Sequence, residues 1–191
     1  MTGNIPPLMT TSPDGSISHH FSVYEKANCL NDFFASISTI NDTQASLPTF
    51  TAKTSNKLTN VAITEKEIED TIRSLNVNKA CGPDFISHKV LRGVANTISK
   101  PLCIIFNRSL TEALFPDAWK VANVVPIFKK GDKATVSNYR PVSLLSCCGK
   151  LFERIVFKYM YNFFIDNDLL YKYQSGFLPN HSTTYQLIDI Y

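Results

Sequence analysis

No stretch of this sequence approaches the roughly 18 consecutive apolar residues of a membrane-spanning helix, so no membrane segment is expected. No Cys-x-x-Cys occurs, and the five cysteines, at 29, 81, 103, 147 and 148, are odd in number. Those two features argue against a disulfide framework and against a zinc site. The thiols instead read as reduced and buried, as in an intracellular protein. The opening MTGNIPPLMTTSPDG lacks the basic and apolar layout of a secretory leader. Secretion is therefore not expected, while nucleus and cytoplasm both stay open. The Asn-x-Ser/Thr triplets at Asn41, Asn107 and Asn180 then read as chance. Charged residues are scarce, at 18% against roughly a quarter in average chains. Hydrophobic residues reach 44%, enough for a real core and unlike a disordered chain.

What charge there is lies unevenly. Residues 1–63 hold three Lys/Arg and four Asp/Glu, whereas residues 64–191 hold sixteen against twelve. The short segment 120–140 contains Lys120, Lys129, Lys130, Lys133 and Arg140 against the single acid Asp132. A chain weakly charged overall thus concentrates its cations in one place. Such a cluster suits a polyanion, because Arg offers a planar fork to phosphate oxygens and Lys a compact point charge. A triphosphate and a nucleic-acid backbone both fit. The plainer alternative is a solvated polar turn, since Lys-Lys-Gly-Asp-Lys is ordinary turn chemistry.

The local pattern gives a helix-rich α+β chain with a small antiparallel hairpin. Residues 1–18 are rich in Pro, Gly, Ser and Thr and read as unstructured. Residues 19–40 carry Val23, Ala27, Leu30, Phe33, Phe34 and Ile37 at helical spacing. Residues 41–63 belong to a Ser/Thr/Asn-rich stretch that reads as a linker. The main domain then begins at Thr64, where Thr64 and Glu67 form a capping-box pattern ahead of Ile68, Ile72 and Leu75. Gly82-Pro83 forces a turn, with Asp84 placed to cap the next helix. A helix is expected over about 86–99, with Pro101 opening another that runs to about Ala113. Residues 121–128 (VANVVPIF) and 139–145 read as two strands around a basic tip. From Leu151 to Phe164, apolar residues recur at helical spacing, and a short helix is expected from Ser182.

Other catalytic patterns fail on spacing. Gly149-Lys150 resembles the end of a phosphate-binding loop, but Leu144 and Leu151 stand where Gly and Ser/Thr are required. His19, His20, His88 and His181 form no pair at ligand or catalytic spacing and read as exposed or capping residues. The stripe from Leu151 to Phe164 reads as core. Trp119 follows a Pro-Asp turn and reads as an anchor for the hairpin base, with stacking on a nucleobase as the alternative.

Four motifs occur in one order: KACGPDFIS, FPDAWKVANVVPIFKKGD, NYRPVSLLSCCGKLFERIV and QSGFLPNHSTTYQL. From about Thr64 onwards the chain resembles the reverse transcriptases (RNA-directed DNA polymerases) of non-LTR, LINE-type retrotransposons. Residues 19–40 resemble the helix preceding that domain. The resemblance implies the fingers and the start of the palm of a right-hand polymerase over residues 64–191. It implies that Lys129, Lys130 and Arg140 face the phosphates of the incoming nucleotide. Lys79, Gly82, Pro83 and Lys133, with Gln174, Gly176 and Phe177, are then expected beside template and primer. The implied partners are an RNA template, a DNA primer, a deoxynucleoside triphosphate and the remaining palm and thumb.

Two departures qualify this. Leu178 stands where the family usually has Arg after Gly-Phe. In the family, paired carboxylates hold magnesium ions, and here no two aspartates are adjacent. Asp189 is the only acid in the tail. No catalytic residue, metal ligand or resident cofactor is therefore expected in these residues. The chain reads as a truncated N-terminal fragment, inactive alone. A non-catalytic RNA-binding module and an inert transposon relic are the alternatives.

Overall fold

A computed structural model describes residues 5–12, 14–40, 42–43, 46 and 49–188. In chain order its elements are Leu8–Thr11 (β1), Ile17–His20 (β2), Val23–Ile37 (α1), Glu65–Arg73 (α2), His88–Gly93 (α3) and Ala95–Glu112 (α4). They continue with Asp117–Lys120 (α5), Ala122–Phe128 (β3), a 3₁₀ turn at Val136–Asn138, Tyr139–Leu145 (β4), Cys147–Asp166 (α6) and Thr183–Ile188 (α7). Helices thus combine with two small antiparallel sheets, β1–β2 and β3–β4, as an α+β chain should. The chain divides into two compact units. One comprises Met1–Pro48, Leu75–Val94 and Phe115–Lys150; the other comprises Thr49–Ser74, Ala95–Leu114 and Leu151–Tyr191.

In the first unit, the opening expected to be unstructured contains the hairpin β1–β2 instead. Gly15 adopts a φ of +84°, and the Asp14 carboxylate accepts from the Ser16 amide at 3.0 Å, closing the turn. Leu8 is completely buried beside Cys29, Leu30, Phe34, Val136 and Tyr139. Local composition missed this strand because its stabilising contacts come from residues distant in sequence.

Helix α1 begins with a full capping box. The Ser22 hydroxyl accepts from the Glu25 amide at 3.1 Å, and the Glu25 carboxylate accepts from the Ser22 amide at 3.0 Å. The Ser22 amide holds the Glu25 carboxyl below its ordinary value of 4.5, helped by the Ser22 hydroxyl and the Phe21 amide. A lowered folded-state value means a stabilising contribution that is complete above pH 4.5 and lost as pH falls through the folded value. Acid titration of α1 helicity, followed by circular dichroism, should therefore show a loss below that pH. Glu25→Gln should flatten it; an unchanged acid limb would remove Glu25 from the cap.

Helix α3 is capped by Ser87, whose hydroxyl accepts from the Val90 amide at 3.3 Å. Asp84, expected in that role, instead accepts from the Ile86 amide at 3.1 Å and shapes the preceding turn. His88 is buried rather than exposed, and its Nδ1–H donates to the Asn76 carbonyl at 2.8 Å. Strands β3 and β4 pair from Ala122↔Leu145 to Phe128↔Tyr139. The proline pair Pro126↔Pro141 fits a two-stranded sheet, where both strands are edges.

In the second unit, α2 packs on α4. Ile63, Ile68, Ile72, Leu102, Phe106, Leu151, Phe152 and Ile155 are buried there. The Thr64 hydroxyl caps α2 by accepting from the Glu67 amide at 3.1 Å. The Glu67 carboxylate does not return to Thr64 as a box requires. It accepts from the Tyr159 hydroxyl at 2.8 Å and meets the Lys158 ammonium at 3.4 Å. Pro101 was expected to start a helix, yet it lies inside α4. Pro101 and Thr97 are both exposed, so water can satisfy the carbonyl that the proline leaves free. The expected linker 41–63 has no helix or strand among its described residues, but it is pinned at its end. The Ile63 amide donates to the Asn107 side-chain oxygen at 2.9 Å, and the Asn107 amide donates back to the Ile63 carbonyl at 2.8 Å.

Candidate functional site

The basic loop between β3 and β4 is a built turn. The Lys129 amide donates to the Asn138 carbonyl at 2.8 Å, extending the ladder past the strands. Gly131 then takes a φ of +88°, and a Cβ there would stand 2.7 Å from the Asn138 side-chain nitrogen. That nitrogen donates to the Asp132 carbonyl at 2.8 Å, while the Asp132 carboxylate accepts from the Ala134 amide at 2.9 Å. Below the loop, the Tyr139 hydroxyl donates to the Lys133 carbonyl at 2.8 Å, and the Met9 amide donates to the Ala134 carbonyl at 2.8 Å. Burial pushes the Tyr139 phenol above its ordinary value, with Asp132 adding to the shift, so this donor stays protonated at neutral pH.

The turn sets out its cations in a defined order. Lys129, Lys130, Lys133 and Arg140 are all exposed. None of the four has an ion-pair partner among the described residues. The Lys133 ammonium lies 5.6 Å from the centre of the Phe128 ring. Phe128 and Tyr139 pair across the sheet, pack with the α1 core and meet edge to face at 5.7 Å. Strand alternation therefore puts Arg140, with its partner Ile127, on the opposite face. The loop can therefore hold Lys129, Lys130 and Arg140 as unpaired cations at one end of a short sheet.

The KACGPD turn belongs to the same unit but to the other end of β4. Gly82 is buried, and a Cβ there would sit 2.6 Å from the Leu145 carbonyl carbon and from the Ser146 nitrogen. A seven-residue strand is roughly 20 Å long, so that length separates Gly82 from the hairpin cations. Lys79 is exposed and Pro83 half-buried. Trp119 meets Phe115 edge to face at 5.9 Å, and its Cβ would stand 3.0 Å from a Cβ on Gly149. The anchoring alternative for Trp119 is thus the one the packing favours. Cys147 and Cys148 are buried in this region. Burial pushes the Cys148 thiol up to about 11, with the Asp84 charge contributing, so it is no nucleophile at neutral pH.

Gln174, Gly176 and Phe177 lie in the second unit. The Gln174 amide donates to the Tyr171 carbonyl at 2.9 Å, and its side-chain nitrogen donates to the Gly176 carbonyl at 3.3 Å. Phe177 has a φ of +64° and a fully exposed ring. Sequence reading passed over Tyr171-Lys172-Tyr173, exposed in this same segment, although aromatic and basic residues alternate there. It placed Asp132 and Asn138 in the basic loop but did not foresee the bonds by which they build the turn. Among the described residues, no three His, Cys, Asp or Glu side chains come together as a metal site. Asp189 lies outside the described residues.

No family model matches this chain. It is 35% identical over 127 residues to the RNA-directed DNA polymerase from mobile element jockey of Drosophila melanogaster, covering 66% of this chain and 14% of that protein. It is 32% identical over 123 residues to the probable RNA-directed DNA polymerase from transposon BS of the same species, covering 64% and 14%. A third relative is the retrovirus-related Pol polyprotein from type-1 retrotransposable element R1 of Bradysia coprophila, 32% identical over 119 residues, covering 61% and 12%. The chain thus spans 14% or less of the length of these curated relatives. They are polymerases of the mobile-element group that the four sequence motifs resemble.

Proposed function

We infer that this homologue of the non-LTR retrotransposon reverse transcriptases forms the fingers and palm entry of a right-hand polymerase, where it grips the incoming nucleotide and the RNA template. The observation that carries this reading is the β3–β4 hairpin, with Lys129, Lys130 and Arg140 exposed and unpaired in ions among the described residues. A loop fixed by Gly131, Asp132 and Asn138 is ordered before the ligand arrives. Binding then costs less entropy than closing a floppy lysine tail would. Lys129 and Lys130 supply point charges and Arg140 a two-pronged fork for the triphosphate, and without a triphosphate the same cations meet the phosphates of single-stranded RNA. Lys79, Pro83 and Lys133, with Gln174, Gly176 and Phe177, take the template and the DNA primer. Gly82 acts through packing, by seating the turn that carries Lys79 and Pro83.

The bond-forming step is not assigned to these residues. Polymerisation calls for metal ions held by paired carboxylates, and no two aspartates adjoin in this sequence. On this reading the 191 residues hold nucleotide and template without themselves joining nucleotides.

Binding of a fluorescein-labelled short RNA, measured by anisotropy across a salt series, tests the reading. The triple variant Lys129→Ala/Lys130→Ala/Arg140→Ala should bind about tenfold or more weakly at low salt. Its log–log salt slope should fall by up to about 2, since each single-strand phosphate contact contributes roughly 0.7. An unchanged slope would remove the hairpin from the interface. A deoxynucleoside triphosphate should compete only when the three cations are intact. RNA binding that no triphosphate relieves would favour the alternative of a plain RNA-binding module.

A further inference from the structure

We propose that Tyr171, Tyr173 and Phe177 form a stacking surface for the bases of single-stranded RNA, with Lys172 beside them to meet the phosphate backbone. Three large rings stand in water within seven residues: Tyr171 is 62% exposed, Tyr173 58% and Phe177 105%. The Tyr171 and Tyr173 rings meet edge to face, with centres 5.4 Å apart and planes at 69°. The Lys172 ammonium lies 4.6 Å from the centre of the Tyr173 ring, over one face. The turn is held in shape by the Gln174 bonds to the Tyr171 and Gly176 carbonyls, at 2.9 and 3.3 Å. Phe177 keeps its ring outward through a left-handed backbone at φ +64°.

Two observations favour a nucleic acid over a folded protein as the occupant. Between Asp168 and Asp189 the sequence has no carboxylate and one lysine, so the segment that bears the rings is itself free of negative charge. The three rings also sit at i, i+2 and i+6 of an irregular turn, among Gln, Ser and Gly. They present separate π-faces, not the continuous apolar patch that a protein interface buries. Alternating aromatic and cationic side chains are the general chemistry of single-strand binding, because every base has a π-face and stacking tolerates sequence. The stacking surface stands on these observations alone; the choice of RNA as the strand rests on the function proposed above.

The test uses the full chain and a labelled oligoadenylate of about 12 nucleotides. Tyr171→Ala/Tyr173→Ala/Phe177→Ala should bind about tenfold or more weakly, while its salt slope stays at the wild-type value because no charge is removed. Tyr171→Phe/Tyr173→Phe should restore binding, since stacking needs the ring and not the hydroxyl. Wild-type affinity in the alanine triple overturns the stacking surface and leaves the hairpin reading intact. Wild-type affinity and slope in the hairpin triple, with the aromatic triple impaired, overturns the hairpin reading and leaves the stacking surface. No binding by the wild-type chain at low salt overturns both. Photocrosslinking of the unaltered protein to 5-iodouridine RNA avoids any folding defect in the variants. Crosslinks are expected at Tyr171, Tyr173 or Phe177, and crosslinks confined to other residues overturn the inference.

Discussion

Phe106→Ala should lower stability by about 3–5 kcal/mol, the usual loss when a fully buried aromatic is cut back to a methyl group. Phe106 is completely inaccessible on α4, and its ring stacks on Phe152 at 4.8 Å with 29° between planes. Truncation would remove both the apolar burial and the aromatic pair, and the buried isoleucines of α2 could close only part of the cavity. Urea unfolding followed by far-ultraviolet circular dichroism measures the change, read as a shift in midpoint at constant slope. Phe106→Leu keeps most of the volume and should cost far less. A loss below about 1 kcal/mol for the alanine variant would mean that Phe106 is not a keystone of the second unit.

Gly82→Ala is expected to cost about 1–3 kcal/mol, and Gly82→Val more, because the added carbon has nowhere to go. A Cβ at that position would stand 2.6 Å from the Leu145 carbonyl carbon and the Ser146 nitrogen, and 2.7 Å from the Leu145 oxygen. All three are backbone atoms, so no side chain can swing aside. The reason for glycine here is close approach, since only Gly15 and Gly131 among the described glycines have positive φ. Gly93 provides the internal control: it ends α3, and nothing lies within 4 Å of its added Cβ. Gly93→Ala should therefore be neutral or slightly stabilising, through the helix preference for alanine. Trp119, the only tryptophan, lies in the same unit as Gly82 and reports its unfolding by fluorescence. Equal stability of the two variants would show that the turn relaxes away from β4 at no cost.

The pattern of agreement between sequence and structure follows the range of the forces involved. Helix α6 was readable because its apolar positions recur at the helical period over many turns. The β3–β4 hairpin was readable because branched apolar runs flank a Gly-Asp turn. Its cations were readable because charge clusters survive in any local window. What misled was always a contact or an exposure the window could not see. Leu8 holds β1 through Leu30, Phe34 and Tyr139. Pro101 stays in α4 because it faces water. Glu67 abandons its own cap for Tyr159, which is 92 residues away.

The sequence by itself determined the type and approximate span of most helices and of the β3–β4 hairpin, the clustering of cations and the similarity to mobile-element polymerases. Periodicity, turn chemistry and motif order are local properties, and they survive without coordinates. Only the tertiary structure decided why Gly82 must be glycine, how Asp132, Asn138 and Tyr139 fix the basic loop, and that the rings of Tyr171, Tyr173 and Phe177 stand in water. Each of those depends on which atoms come within a few ångströms across the fold, or fail to. Packing and exposure are set by the whole chain at once, so no window of the sequence contains them.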